Sequence, residues 1–193
     1  MVYEGIIYGL TVRMRSIEEK DAEISYKMRT DPTKNRFLHK THGEVEHQRQ
    51  YIAKERLDPT DYYFVIEDLD GKPIGLKGLY EYNPEKKTVV SGRFIGYGSQ
   101  VQNMEALMLG FDFAFDVLGV ETVTMDALEN NTCMLSIQKK FGVEFTHRFR
   151  EEGMEFDSVC SVLTKEAYAK TRPGIEGLIK RFADREVRSF SGG

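Results

Sequence analysis

Residues 94–143 read FIGYGSQVQNMEALMLGFDFAFDVLGVETVTMDALENNTCMLSIQKKFGV. In order, this stretch supplies a strand, a short polar loop, a long apolar helix, a second strand and a second helix ending in Phe141-Gly142, a compact βαβα unit. The strand-loop-helix corner of such a unit is where anions are commonly held. The first N–H groups of a helix have no intrahelical partner, and its dipole favours negative charge there. The long helix, from about Gln102 to Leu118, is apolar around most of its circumference. Its polar stripe is narrow, with Gln102, Glu105, Asp112 and Asp116 on one side at helical spacing, so the helix belongs against the middle of a sheet. Gly119 ends it in the left-handed position.

Working outward, Leu10 to Ile17 alternates as a first strand. A helix opens at Glu18, presents Ala22, Ile24 and Met28 inward, and stops after about Arg29 because Pro32 cannot continue the ladder. Thr33 to Gly43 is a loop, and Glu44 to Leu57 a second, mostly polar helix halted by Asp58-Pro59. Strands over Tyr62–Asp68 and Ile74–Tyr82 are joined by Asp70-Gly71, a strong hairpin signal. A fourth strand, Thr88–Tyr97, follows Asn83-Pro84. Beyond the βαβα unit, Glu144–Arg150 and Met154–Leu163 form a hairpin around Glu152-Gly153. The order βααβββαβαββ predicts an α/β (α+β) mixed central sheet with helices on both faces and one parallel crossover. That domain spans residues 1–163. Residues 164–193 form a C-terminal extension, with Thr164 to about Arg188 in one or two helical pieces broken by Pro173-Gly174 and a frayed end from Ser189 to Gly193. Ile175, Leu178, Ile179 and Phe182 at helical spacing could dock on the domain or on a second copy, giving a homodimer; docking within the chain is the default.

The 193 residues are 40% apolar and 30% charged, an ordinary soluble mixture for one domain. A formal charge of −4 argues against nucleic acid as the main partner. Asp112 and Asp116 interrupt the most apolar run, so no membrane span is expected, and the start carries no basic-then-apolar export signal. Cys133 and Cys160 make neither a CxxC nor a disulfide framework. The expected location is the cytoplasm.

Three phrases in register resemble the GNAT superfamily of acyl-CoA-dependent N-acetyltransferases, over roughly Val12 to Leu163. They are Arg29-Thr30-Asp31-Pro32 with Phe37-Leu38; Ile95-Gly96-Tyr97 with Glu105-Ala106-Leu107, Phe113-Ala114-Phe115 and Leu118-Gly119; and Glu129-Asn130-Asn131 with Lys140-Phe141-Gly142. The likeness is to the branch with ribosomal-protein N-terminal acetyltransferases and acetyltransferases of nucleotide-linked amino sugars. It implies acetyl-CoA as cosubstrate, held by Ile95, Gly96 and Tyr97, by Ser99, Gln100, Val101, Gln102, Asn103 and Met104, and by Asn131 and Lys139. The chain departs from the family's Q/R-x-x-G-x-G/A loop: counting back from Glu105, its positions fall on Gly98, Val101 and Asn103, without the two later glycines. Those glycines let backbone approach phosphate closely. Where many members place a tyrosine acid seven residues after the asparagine, this chain has Gln138, and an amide is no acid at neutral pH.

Acetyl transfer needs a deprotonated amine, a polarised thioester carbonyl and close placement of the two. Backbone N–H groups of Ile95 or Tyr97 are the expected polarising donors. Candidates for proton transfer are Glu81 on the third strand, Tyr97 at a strand end, and His147 in the sixth strand. The plain alternatives are an exposed strand-end charge, a packed aromatic and a hydrogen-bonded structural histidine. Cys133 at a helix start is read as a small apolar filler rather than a nucleophile. His39, His42 and His47 lack the carboxylate or cysteine company of a metal site, so no metal is expected.

The first two helices and their connection usually wall the acceptor site in this fold. Asn35, Phe37 and His39 with Lys34, Arg36 and Lys40, and Tyr80 from the third strand, suit an anionic, ring-bearing amine such as a nucleotide-linked amino sugar. A peptide N-terminus is the second acceptor class, helped by Glu44, Glu46 and Glu81. Polyamines are a third and require concentrated carboxylates. With the loop glycines gone, a degenerate GNAT-like domain used for binding or assembly stays open.

Overall fold

The computed structural model describes residues 1–38, 40–150, 152 and 155–190, with side chains as far as residue 183. Strands β1 (Ile6–Tyr8), β2 (Val12–Ser16), β3 (Tyr62–Asp68), β4 (Pro73–Asn83), β5 (Thr88–Gly96), β6 (Thr122–Leu128), β7 (Glu144–Phe149) and β8 (Ser158–Thr164) build one sheet in the order β1-β2-β3-β4-β5-β6-β8-β7. Only the β5–β6 neighbours run parallel. Helices α1 (Ala22–Thr30) and α2 (Val45–Leu57) cover one face; α3 (Gln100–Asp112), α4 (Thr132–Lys140) and α5 (Lys165–Phe190) cover the other. This is the expected mixed sheet with helices on both faces. Strand β3 shows why both faces are dry. Tyr62, Phe64 and Ile66 pack toward α3, and Tyr63 and Val65 pack toward α1 and α2, in period-two alternation.

Several boundaries differ from the sequence reading. An extra edge strand, β1, pairs with β2; at three residues it is too short to show alternation. The long helix starts at Gln100 and leaves α geometry at Asp112, where residues Phe113–Val117 widen into a π turn closed by Leu118 N–H to Phe113 O (3.0 Å). That widening keeps Phe111, Phe113 and Phe115 all buried, against Phe141, Phe64 and Tyr168 respectively. Of the one or two helical pieces expected, the extension is one helix, and it is not broken at Pro173, which lies inside it. Tertiary contacts override the local break: Arg172 holds Asp112 of α3 through two bonds (2.7 and 2.8 Å), and Tyr168 donates to the same carboxylate at 2.6 Å. Ile175 and Ile179 are buried in the main core. Residues 151, 153, 154 and 191–193, where the hairpin turn and the frayed end were expected, lie outside the described residues.

The feature that positions the site is a divergence of strands. Strands β5 and β6 pair only at Thr88, Val89 and Val90 with Thr122, Val123 and Thr124, although β5 runs on to Gly96 and β6 to Leu128. The register of β5 against β4 slips by one residue between Gly92 and Ile95, and Arg93 inside the slip has φ 52°. Such a bulge bends its strand and increases local twist. The outer halves of β5 and β6 therefore part, leaving two backbone edges that face each other without pairing.

Candidate active site

A cleft of about 540 Å³ fills the gap between the diverging strands and passes through the sheet. On the α3–α4 side it is walled by Leu107 and Phe111 of α3, by Asn131, Ile137, Gln138 and Phe141 around α4, and by Lys77 and Ser91. On the α1–α2 side it is walled by Arg29, Lys34, Arg36 and Phe37, by Tyr51 of α2, and by Tyr80 and Arg93. The two mouths differ in chemistry, one apolar with amides and the other basic and aromatic.

Arg93 anchors the basic side. Its guanidinium stands over Tyr80 at 4.5 Å and beside Tyr63 and Tyr51 at 5.5 and 5.6 Å. It lies 2.7 Å from Asp61 and 3.3 Å from Glu55, both nearly buried. Burial, then the neighbouring Glu55, push the Asp61 carboxyl up to about 7. Gly78 makes room for this arrangement, since a Cβ there would stand 3.0 Å from Arg93 Cδ. Burial, then Asp126 of β6, raise the Tyr80 hydroxyl.

Lys77 is 1% exposed, and its Nζ donates to Ser91 Oγ at 2.6 Å. Burial alone lowers its pKa to about 7. Between about 7 and its ordinary 10.5 the unfolded chain holds a proton here that the folded chain lacks, so stability climbs with pH across that window. Compared with Lys77→Met in urea melts at pH 6 and pH 10, wild type should gain stability relative to the variant at the higher pH; an equal difference at both would refute the buried amine.

Of the residues expected to act on protons, none lines the cleft. Glu81 is exposed on β4 with φ 54°. His147 is exposed on the edge strand β7, its Nδ1 3.2 Å from Thr146 Oγ1. The Tyr97 hydroxyl donates to Asp31 Oδ2 at 2.7 Å, and burial and that carboxylate push its pKa up; it ties the end of β5 to the end of α1. The Tyr97 N–H, one of the two expected carbonyl-polarising donors, is occupied by Ile74 O at 2.7 Å. Strand alternation then turns the Gly96 N–H toward the gap.

Of the residues expected to hold coenzyme, Ile95, Gly96 and Asn131 line the cleft. Ser99, Gln100, Val101, Gln102 and Asn103 stand at the start of α3, outside that lining, Met104 packs in the core, and Lys139 is exposed with its Nζ 5.6 Å from the Phe145 ring. Of the acceptor candidates, Phe37 and Tyr80 line the cleft, Asn35 opens the short helical turn Asn35–Phe37, and His39 lies outside the described residues. His47 accepts from the Glu44 N–H at the start of α2, 3.1 Å away. Among the described residues no group of His, Cys, Asp and Glu is placed to hold a metal, and no helix is long and apolar enough to cross a membrane. Sequence reasoning missed Lys77 and Arg93. A lysine between Leu76 and Gly78, mid-way along an apolar strand, was the available signal for the first; the second depends on a bulge.

Residues 11–144 match the acetyltransferase (GNAT) domain family. The chain belongs to the GNAT acetyltransferase family. It is thereby an acyltransferase. No curated protein sequence matches it. Among solved structures, the apo form of FdhC, a nucleotide-linked sugar GNAT, is 21% identical with a TM-score of 0.75, covering 90% of this chain and 97% of that one. The spermidine N-acetyltransferase of Vibrio cholerae in complex with CoA and spermine is 15% identical with a TM-score of 0.74, covering 82% and 98%. A GCN5-related N-acetyltransferase from Brucella melitensis is 16% identical with a TM-score of 0.74, covering 94% and 86%. At these identities the likeness is one of fold.

The parted edges of β5 and β6 suit the extended, amide-bearing arm of the cosubstrate that GNAT enzymes use, with Asn131 at the α4 corner. The start of α3 is more constrained. Only Tyr97, Gly98 and Ser99 connect β5 to α3. Ser99 and Gln102 cap each other's N–H groups at 2.8 and 3.2 Å, and Asn103 fills the space beside Gly96. By position, the N–H groups of Gln100 and Val101 lack helical partners and stay available to phosphate. Asn131 is also the α4 cap, accepting from the Met134 N–H at 3.2 Å. Asn131→Ala should therefore cost about 1 kcal/mol of stability and weaken coenzyme A binding; calorimetry showing unchanged affinity would remove Asn131 from that site.

Proposed function

We propose that the chain transfers an acetyl group from acetyl-CoA to the primary amine of a small, anionic, ring-bearing metabolite, such as a nucleotide-linked amino sugar, by direct transfer in a ternary complex. The lining of the α1–α2 mouth carries this reading. Arg29, Lys34 and Arg36 offer charge-assisted bonds to phosphate, and Phe37 and Tyr51 offer ring faces. Among the described lining residues Asp126 is the one carboxylate, whereas a polyamine calls for several. Acetyl-CoA supplies an acyl group activated as a thioester. The cleft brings the amine to it from the opposite face of the sheet, and such positioning alone offsets several kcal/mol of entropy. The Gly96 N–H, turned toward the gap, would be the donor that polarises the acyl carbonyl.

The test is a calorimetric titration with acetyl-CoA and with coenzyme A, followed by a thiol-release assay on nucleotide-linked amino sugars, spermidine and a peptide N-terminus. Micromolar binding with turnover of an amino-sugar nucleotide is expected. No binding at millimolar coenzyme would overturn this reading.

A further inference from the structure

The α3–α4 side of the cleft has one lining side chain that ionises near neutrality among the described residues, Lys77. Its amine sits at the apex of the gap, because Ser91, to which it donates, is the first β5 residue past the last β5–β6 pair, Val90 with Thr124. A longer bond reaches Gly78 O at 3.3 Å, and the Phe111 ring centroid is 6.0 Å away. The charged groups of the cleft stand on the other face. Arg93 of β5 is held by Asp61 and Glu55, and Asp126 of β6 acts on Tyr80. Helix α3 contributes only Leu107 and Phe111 to the lining, and α4 contributes the amide of Gln138, which accepts from Ser161 at 3.4 Å. A buried ammonium without a counter-ion is costly. Methionine would fill this space without that cost, so the lysine is explained by its proton rather than by its packing.

We propose that Lys77 is the proton donor to the departing thiolate, an inference that rests on the acetyl-CoA-dependent transfer above. The lone pair of the acceptor nitrogen forms the C–N bond as the C–S bond breaks with its electron pair on sulfur. A proton from Lys77 Nζ completes the thiol. The uncharged amine then regains, through Ser91 Oγ, the proton that the acceptor nitrogen releases. Burial places the amine near 7, suited to giving and regaining a proton at neutral pH. The other candidates are turned away: Tyr97 donates to Asp31, and Gln138 carries no acidic proton.

The test uses the full chain with 13C-labelled lysine, as wild type and as Lys77→Met, which keeps the volume and removes the proton. One lysine 13Cε signal should titrate near 7, be missing in the variant, and move when coenzyme A is added. With the amine that the thiol-release assay selects, wild-type kcat should fall as pH rises through about 7. The variant should be about 100-fold slower without that fall while unfolding at a temperature no lower than wild type. Three results would each overturn the proposal: a variant that keeps the alkaline fall, a wild-type kcat that rises through 7 through loss of the Lys77 proton, or coenzyme A binding that leaves the Lys77 signal unmoved. Absence of any coenzyme A binding would instead bring down the acetyl-transfer reading, and this proposal with it.

Discussion

Replacing Arg93 by alanine should destabilise the protein by about 3–5 kcal/mol. The change strands Asp61 and Glu55 as buried carboxylates without the guanidinium that lies between them, and opens a hole among Tyr51, Tyr63 and Tyr80. The loss should depend on pH in a definite direction. Asp61 already sits near 7 with Arg93 present, and without the guanidinium its pKa rises further. Between the ordinary carboxylate pKa of 3.8 and its folded pKa the folded chain holds a proton that the unfolded chain has released, so stability falls as pH rises across that window, and in the variant the window extends further above 7. Urea melts should thus show a larger deficit at pH 8 than at pH 5. A deficit equal at both pH values, or under 1 kcal/mol, would mean that the cluster is hydrated rather than buried. Arg93→Lys should recover part of the charge effect but not the planar contacts with three rings.

Glu105→Ala should cost about 3 kcal/mol, through donors left without acceptors. Glu105 is 1% exposed on α3, and its carboxylate accepts from the Leu10 N–H (2.6 Å), the Thr11 N–H (2.7 Å) and the Thr11 hydroxyl (2.5 Å). Gly9 closes tightly on it, since a Cβ there would stand 2.6 Å from the Glu105 carboxyl carbon. The carboxylate clamps the β1–β2 turn to the start of α3. Thermal unfolding and amide exchange at Leu10 and Thr11 would report the change, and Glu105→Gln, which keeps one acceptor oxygen, should fall in between. Unaltered exchange at both amides would show that the turn is held by β1–β2 pairing alone.

How legible the molecule was in its sequence varies by element. Strand β3 and the hairpin at Asp70-Gly71 were readable because alternation and turn chemistry act within a few residues. The π turn at Phe113–Val117 and the continuous α5 through Pro173 were not, because neighbouring elements decide them. The lining of the α1–α2 mouth was partly legible: Lys34, Arg36, Phe37 and Tyr80 were singled out from local composition and resemblance, and all four line the cleft. The group proposed to handle the proton was not legible. Glu81, Tyr97 and His147 have suitable chemistry but do not line the cleft, while the one signal for Lys77 is a lysine in the middle of an apolar strand, whose meaning appears only when α3 closes over it.

By itself the sequence determined the βαβα unit and the mixed sheet with both faces covered, because periodicity, turn residues and helix stops are local and additive, and three phrases in register carried the resemblance to the family. Only the tertiary structure decided where β5 leaves β6, which side chains that gap exposes, and that a lysine at its apex loses water on every side. Burial and charge partnership come from residues far apart in the chain. Lys77 meets Ser91 and Phe111, and Arg93 meets Glu55 and Asp61, only after the sheet has formed and the helices have docked.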